Sequence, residues 1–199
     1  EARNNPQASE FGAFVPASIM ELSKRKEGIS LKYLVIKAQK GDAQAFIELI
    51  EQNKQSMYKV ARSYFQNEEE IADALQDTIE ACYRSIPHLA NPEYFRTWLI
   101  RITINKCNDI IRKNRREHLV EEFPEQGEIC MELKNCEFEE LMRSLDEKYR
   151  TILLLYYGEG FKISEIAQLL DMEENTVKTR LTRGRKKFRE IWSAQSAVT

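Results

Sequence analysis

Asn175-Thr176-Val177-Lys178-Thr179-Arg180-Leu181-Thr182-Arg183-Gly184-Arg185-Lys186-Lys187-Phe188 is the stretch on which the reading of this chain turns. At 3.6 residues per turn, Val177, Leu181, Gly184 and Phe188 fall on one stripe, which therefore faces the protein. Thr179, Thr182, Arg183 and Lys186 fall opposite, flanked by Lys178, Arg180, Arg185, Lys187 and Arg189. No acid lies between Asn175 and Arg189. A helix docked by one face, with short donors and Arg on the other, suits a major groove walled by phosphates. Just upstream, Gly160-Phe161-Lys162-Ile163-Ser164-Glu165-Ile166-Ala167-Gln168-Leu169-Leu170 supplies a partner helix. The pair predicts a DNA-binding helix-turn-helix.

The rest of the chain bounds that reading. With 199 residues and 42% hydrophobic content it can bury one or two cores, so two small domains are expected. The net charge of -2 conceals segregation. Lys106, Arg112, Lys113, Arg115 and Arg116 oppose only Asp109 in their span. The next segment carries Glu121, Glu122, Glu125, Glu128, Glu132, Glu137, Glu139 and Glu140, against little more than Lys134 and Arg143. Two basic patches are thus separated by an acidic bridge. A nearly neutral total also implies weak nonspecific DNA affinity for the free protein, so stable binding needs a partner.

Cys82, Cys107, Cys130 and Cys136 show no CxxC spacing, and His88 and His118 form no ligand set with them. They read as reduced thiols in a cytosolic protein, and no metal or other cofactor is expected. No apolar run approaches the roughly 20 residues that cross a bilayer, so direct membrane insertion is not expected. Glu1 to Ile19 lacks periodicity and reads as an added remnant or disordered leader, with Met20 a natural start.

Few glycines, fewer prolines and no sustained alternation predict an all-α fold. A first helix covers Leu31 to Gln39 and stops at Gly41; Asp42 then caps a second, with Ala45, Phe46, Leu49 and Ile50 facing inward. That helix is expected to break near Asn53 and resume through Met57, Val60 and Phe65. Asn67, with Glu70 three residues on, predicts a capping box opening a helix through Arg84. Pro87 and Pro92 bracket a loop, and a long helix follows to about Arg116. Glu117 to Lys134, with Pro124 and Gly127 among acids, reads as a flexible linker. Asn135 to Leu145 and Glu147 to Tyr157 then precede the helix-turn-helix.

The helix from Pro92 carries a second candidate site. Phe95, Leu99 and Ile102 share one apolar side, and Ile100, Ile104, Cys107 and Ile111 another. Between them Arg101, Asn105, Asn108, Arg112 and Arg115 form a continuous polar and basic strip. Tyr94 and Trp98 stand near its start, beside Pro87-His88-Leu89-Ala90-Asn91. Aromatic groups beside guanidinium groups can hold unstacked bases and backbone. A solvated helix face and a core Trp98 are the blander reading of the same residues.

At this point the chain resembles the extracytoplasmic-function sigma factors of bacterial RNA polymerase, over roughly Tyr33 to Trp192 apart from the linker. Three motifs carry the resemblance. Asp73-Ala74-Leu75-Gln76-Asp77-Thr78 is similar to the family's core-binding motif, D-x-x-Q-[DE]-[TV]. Phe95-Arg96-Thr97-Trp98-Leu99, with Ile102, Asn105, Asp109, Arg112 and Arg116, is similar to its promoter-melting segment. Glu159 to Phe188 is similar to its final helix-turn-helix.

The resemblance implies an all-α chain of two small helical domains, sigma region two and sigma region four, joined by an acidic flexible linker. Residues 31–117 would be region two, 118–134 the linker, 135–192 region four and 193–199 a tail, after a leader over 1–30. Asp73, Gln76 and Asp77 would meet the clamp-helix coiled coil of the polymerase β′ subunit, and region four the β flap. His88, Asn91, Trp98, Arg101, Asn105, Asn108, Arg112 and Arg115 would open and hold the minus-ten element as single strand. Lys178, Thr179, Thr182 and Arg183 would read the duplex minus-thirty-five element. Thr176, Arg180, Arg185 and Lys186 complete that surface, and phosphate contacts there position without specifying. Asp171 replaces the family's turn glycine and is expected in left-handed geometry. An anti-sigma factor, often membrane-anchored in this family, and a stress signal that removes it are also implied.

The expected chemistry is binding, in the bacterial cytoplasm, and the chain itself is no enzyme. Two other readings remain open here. One is a stand-alone operator-binding regulator, which leaves Gln76 and the Arg101 strip without a task. The other is a helical enzyme built on Glu68, Glu69, Glu70 and Asp73, which lacks suitably placed His.

Overall fold

The computed structural model describes residues 31–117 and 141–196, and these fall into two compact helical units. The expected leader over 1–30, the linker over 118–134, Cys130, Cys136 and the start of the helix expected from Asn135 lie outside the described residues.

In the first unit, α1 (Leu31–Gln39) ends at Gly41, whose φ of 89° lets the chain reverse. Asp42 caps α2 (Ala43–Tyr64), accepting from the Ala45 amide at 3.0 Å. No break occurs at Asn53. Its side chain is buried and donates to the Leu49 carbonyl at 2.8 Å, so the amide finds its partner one turn back and the helix runs on through it. α3 (Glu68–Ser85) starts at Asn67, whose side chain accepts from the Glu69 amide. The expected capping box does not close: Glu70 instead accepts from Asn114 Nδ2 at 2.6 Å, pinning the start of α3 to the far end of α4.

The expected loop consists of two 3-10 turns, Ile86–His88 and Pro92–Tyr94, each with proline near its start. α4 (Phe95–Glu117) follows. Both expected apolar sides are inward, with Phe95, Leu99, Ile100 and Cys107 fully buried. One core joins α1, α2, the end of α3 and the head of α4; Trp98, Leu89 and Ile102 pack against it from its edge. A second joins Ala61, Phe65, Ile71, Ala74 and Cys107. Burial pushes the Cys82 thiol up to about 12, which leaves it a small apolar side chain rather than a nucleophile.

In the second unit, α5 (Glu147–Leu153) runs into a π turn, Leu154–Gly158, closed by the Glu159 amide donating to the Leu154 carbonyl at 2.9 Å. The helix expected to reach Tyr157 therefore widens in its last turn. Arg150 is buried and donates to the Arg143 and Leu145 carbonyls, stitching the approach to α5 onto it. α6 (Ile163–Leu169) and α7 (Glu174–Ser196) complete the unit. α7 continues through residues 193–196, which the sequence suggests as tail. Among the described residues there is no strand, and no helix is long and apolar enough to cross a membrane.

Candidate nucleic-acid interface

The turn between α6 and α7 sets the site. Asp171 adopts the left-handed φ of 52° expected at this turn, and the Met172 amide donates back to the Ala167 carbonyl at 2.9 Å. At the start of α6 the Glu165 carboxylate accepts from the Lys162 amide at 2.7 Å, satisfying a backbone donor that has no partner within the helix. Val177, Leu181, Gly184 and Phe188 are all buried, so the stripe read from the sequence is the docking face of α7. Gly184 is needed for close approach. A Cβ there would stand 3.3 Å from Tyr149 Cβ and 3.4 Å from Leu153 Cδ1.

The outward face is sharper than its sequence suggests. Thr176, Lys178, Thr179, Thr182, Arg183 and Lys186 are exposed. The Thr179 and Thr182 hydroxyls donate to the Asn175 and Lys178 carbonyls, at 2.8 and 3.0 Å. In this state they offer a methyl group and acceptor lone pairs rather than the free donors expected, which suits a thymine methyl or a base amino group. Lys178 and Lys186 lie 3.9 and 3.8 Å from Glu174 and Glu190, exposed pairs of little strength.

Two cations of the same helix do other work. Arg185 is half-buried, its guanidinium 6.0 Å over the Tyr157 ring and its Nε enclosed by protein. Burial in turn raises the Tyr157 hydroxyl above its ordinary value. Lys187 Nζ lies 3.0 Å from Asp146 Oδ2 and 5.0 Å over the Tyr149 ring. Its hydrogen bond holds the Asp146 carboxyl below the ordinary range, and Asp146 raises Lys187. Arg180 is half-buried.

In the first unit, Arg101, Asn105, Arg112 and Arg115 are exposed and Asn108 half-buried, so the strip exists as read. Arg112 is 3.4 Å from Asp109, an exposed pair of little strength. His88 and Asn91 are exposed in the loop, and Asn91 Oδ1 accepts from the Glu93 amide, which fixes the second turn. Trp98 is half-buried, tilted against Phe95 at 5.8 Å. It is neither fully buried nor fully exposed, but an edge residue packed against the core.

Asp73, Gln76 and Asp77 are exposed on α3, opposite the buried Ile71, Ala74, Thr78 and Cys82. Beside Gln76 runs an apolar groove of about 640 Å³ along Phe46, Leu75, Ile79 and Tyr83. Tyr83 is 58% exposed and meets Phe46 edge-on at 5.1 Å. Ile79 and Tyr83, which the sequence reading did not single out, follow Gln76 at +3 and +7 on one exposed face. Two of the four acids of the enzyme reading are engaged elsewhere: Glu68 accepts from Arg62 at 2.9 Å and from Tyr58, and Glu70 from Asn114. Among the described residues no three His, Cys, Asp or Glu side chains are grouped to hold a metal ion.

Comparison with known proteins places this geometry. Residues 49–117 match sigma-70 region 2, and residues 137–188 match sigma-70, region 4. The RNA polymerase sigma factor SigV of Bacillus subtilis (strain 168) is 31% identical over 147 residues, 72% of this chain and 88% of its own length. The ECF RNA polymerase sigma factor SigW of the same organism is 27% identical over 179 residues, 80% of this chain and 95% of its own. Among solved structures, CnrH in complex with the cytosolic domain of CnrY superposes with a TM-score of 0.62 at 26% identity, over 82% of this chain and 97% of that one.

Proposed function

Since this chain belongs to the sigma-70 family of RNA polymerase sigma factors, in its extracytoplasmic-function branch, we propose that its exposed surfaces divide the work of promoter recognition among them. As a transcription initiation factor it joins polymerase core and directs it to promoters. Residues 31–117 act as region two and 135–192 as region four. Asp73, Gln76 and Asp77 meet arginines on the β′ clamp helices through charge-assisted hydrogen bonds, with Ile79 and Tyr83 covered alongside. Arg183, Thr179, Thr182 and Lys178 read the minus-thirty-five duplex in the major groove, while Thr176 and Lys186 hold phosphates.

His88, Asn91 and the strip from Arg101 to Arg115 capture the opened minus-ten strand, with Trp98 at their edge. Capture compensates unstacking that costs roughly a few kcal/mol. Because the two DNA-binding units share one chain, each bound element raises the effective concentration of the other. The free protein, at net charge -2, lacks the electrostatic term for stable DNA binding, and core supplies what is missing. The chain acts by binding alone, in the bacterial cytoplasm. An anti-sigma factor covers these faces until a stress signal releases them, a reading supported by CnrH having been solved with a partner domain bound.

The observation that carries the proposal is one exposed cationic helix face and one exposed basic strip, on separate units, with an acid-and-amide motif left uncovered on α3. Co-purification with polymerase core tests it. Retention of this chain by core, and loss of retention with Asp77→Ala, is the expected result; retention unaffected by Asp77→Ala overturns the α3 assignment.

A further inference from the structure

Gln39 ends α1, 47 to 50 residues from the loop assigned to strand capture, yet its side chain reaches that loop twice. Gln39 Nε2 donates to the Leu89 carbonyl at 2.8 Å and to the Ile86 carbonyl at 3.2 Å. The Ile86 carbonyl also accepts from the Leu89 amide at 3.1 Å, so one side-chain amide closes the base of the first 3-10 turn. Ile86 is buried and Leu89 packs against the core, whereas Pro87, His88, Ala90 and Asn91 are exposed. At the other end of α1, Lys32 Nζ lies 2.9 Å from Glu93 on the second turn. That pair is exposed and weak by itself. The Gln39 amide is half-buried, where its two carbonyl partners have less water to fall back on.

We propose that Gln39 is a positioning residue for promoter opening: its amide pre-shapes the loop from Ile86 to Asn91, so that His88 and Asn91 meet an unpaired base without first being ordered. The inference rests on the assignment of that loop to the minus-ten strand. A loop fixed in advance loses less conformational freedom when it binds than one ordered at capture. The shaping depends on donation. Gln39→Glu keeps the length but sets an oxygen against two carbonyl oxygens; Gln39→Met keeps apolar bulk and loses both bonds; Gln39→Arg restores N–H donors.

The test uses holoenzyme reconstituted from the full chain and polymerase core, with a fluorescent single-stranded minus-ten oligonucleotide as probe. Core affinity and closed-complex formation on duplex promoter are measured beside it, and His88→Ala with Asn91→Ala serves as the loop reference. Gln39→Glu and Gln39→Met are expected to lose about tenfold in single-strand affinity while keeping core affinity and the closed complex, as two hydrogen bonds are removed. Gln39→Arg is expected to bind more tightly than Gln39→Met. If the loop reference binds like wild type, the loop assignment fails and this inference with it. If the reference weakens binding but Gln39→Glu or Gln39→Met does not, or Gln39→Arg is no better than Gln39→Met, the positioning role is overturned and the loop assignment stands. Equal losses of core affinity and strand affinity also overturn it, since Gln39 would then be holding the unit together.

Discussion

Lys187 Nζ sits 3.0 Å from Asp146 Oδ2 and over the Tyr149 ring, so a cation of α7 is turned back onto the protein. The tie joins α7, whose outer face carries Arg183, to the residue just before α5. Lys186, its neighbour in sequence, points to an exposed partner on its own helix instead.

The two lysines should therefore behave differently with salt. Lys186→Ala is expected to reduce the slope of log affinity against log salt by about one, as loss of a phosphate contact does. Lys187→Ala is expected to leave that slope unchanged in holoenzyme–promoter titrations. Because Lys187 holds the Asp146 carboxyl below its ordinary range, the pair favours the folded unit at neutral pH. That contribution is lost as acid protonates Asp146. A slope reduced as much by Lys187→Ala as by Lys186→Ala would show that Lys187 also reaches phosphate.

Arg183 and Arg185 lie two residues apart and face different surroundings. Arg183→Ala is expected to weaken promoter binding by roughly 1–3 kcal/mol and relax discrimination at one base pair. Arg185→Ala removes the stack on Tyr157 and is expected to cost about 0.5–1 kcal/mol of stability with sequence preference unchanged. Selection from a randomised minus-thirty-five library separates them. Altered preference with Arg185→Ala would contradict its inward placement.

On α3, Tyr83→Ala is expected to weaken core binding alongside Asp77→Ala, because the exposed ring continues the face that begins at Asp73. Burying such a ring at an interface supports on the order of 1–3 kcal/mol. Core affinity measured by fluorescence anisotropy checks this, and wild-type affinity for Tyr83→Ala would confine the interface to the polar residues.

Gly184→Val should loosen α7 from α5, because added carbons must fit where even a Cβ meets Tyr149 at 3.3 Å. The expected destabilisation is about 1–3 kcal/mol. It is read as faster hydrogen exchange at the Leu181 amide in the intact chain. Unchanged exchange would mean the α5–α7 packing gives way easily.

Much of the carboxy-terminal unit was legible because its signal is periodic. Val177, Leu181, Gly184 and Phe188 repeat at helical spacing, and all four are buried. Asp171 was legible because few residue types tolerate the geometry that the turn needs. Asn53 misled for a physical reason: its amide disfavours helix when solvated, but once buried it bonds the Leu49 carbonyl. Glu70 misled similarly, since a partner 44 residues away outbid the local cap. Arg185 looks like its neighbours in sequence, and only the position of Tyr157 separates it from them. Gln39 carries no local signal at all, because both of its partners are distant.

The central claim is that this chain selects and opens promoters only together with polymerase core, and run-off transcription on a promoter library tests it most directly. Purified chain plus bacterial core should initiate from a restricted set of templates sharing two spaced elements, while either component alone initiates from none of them. Failure of the mixture to direct initiation from any template in the library would contradict the account.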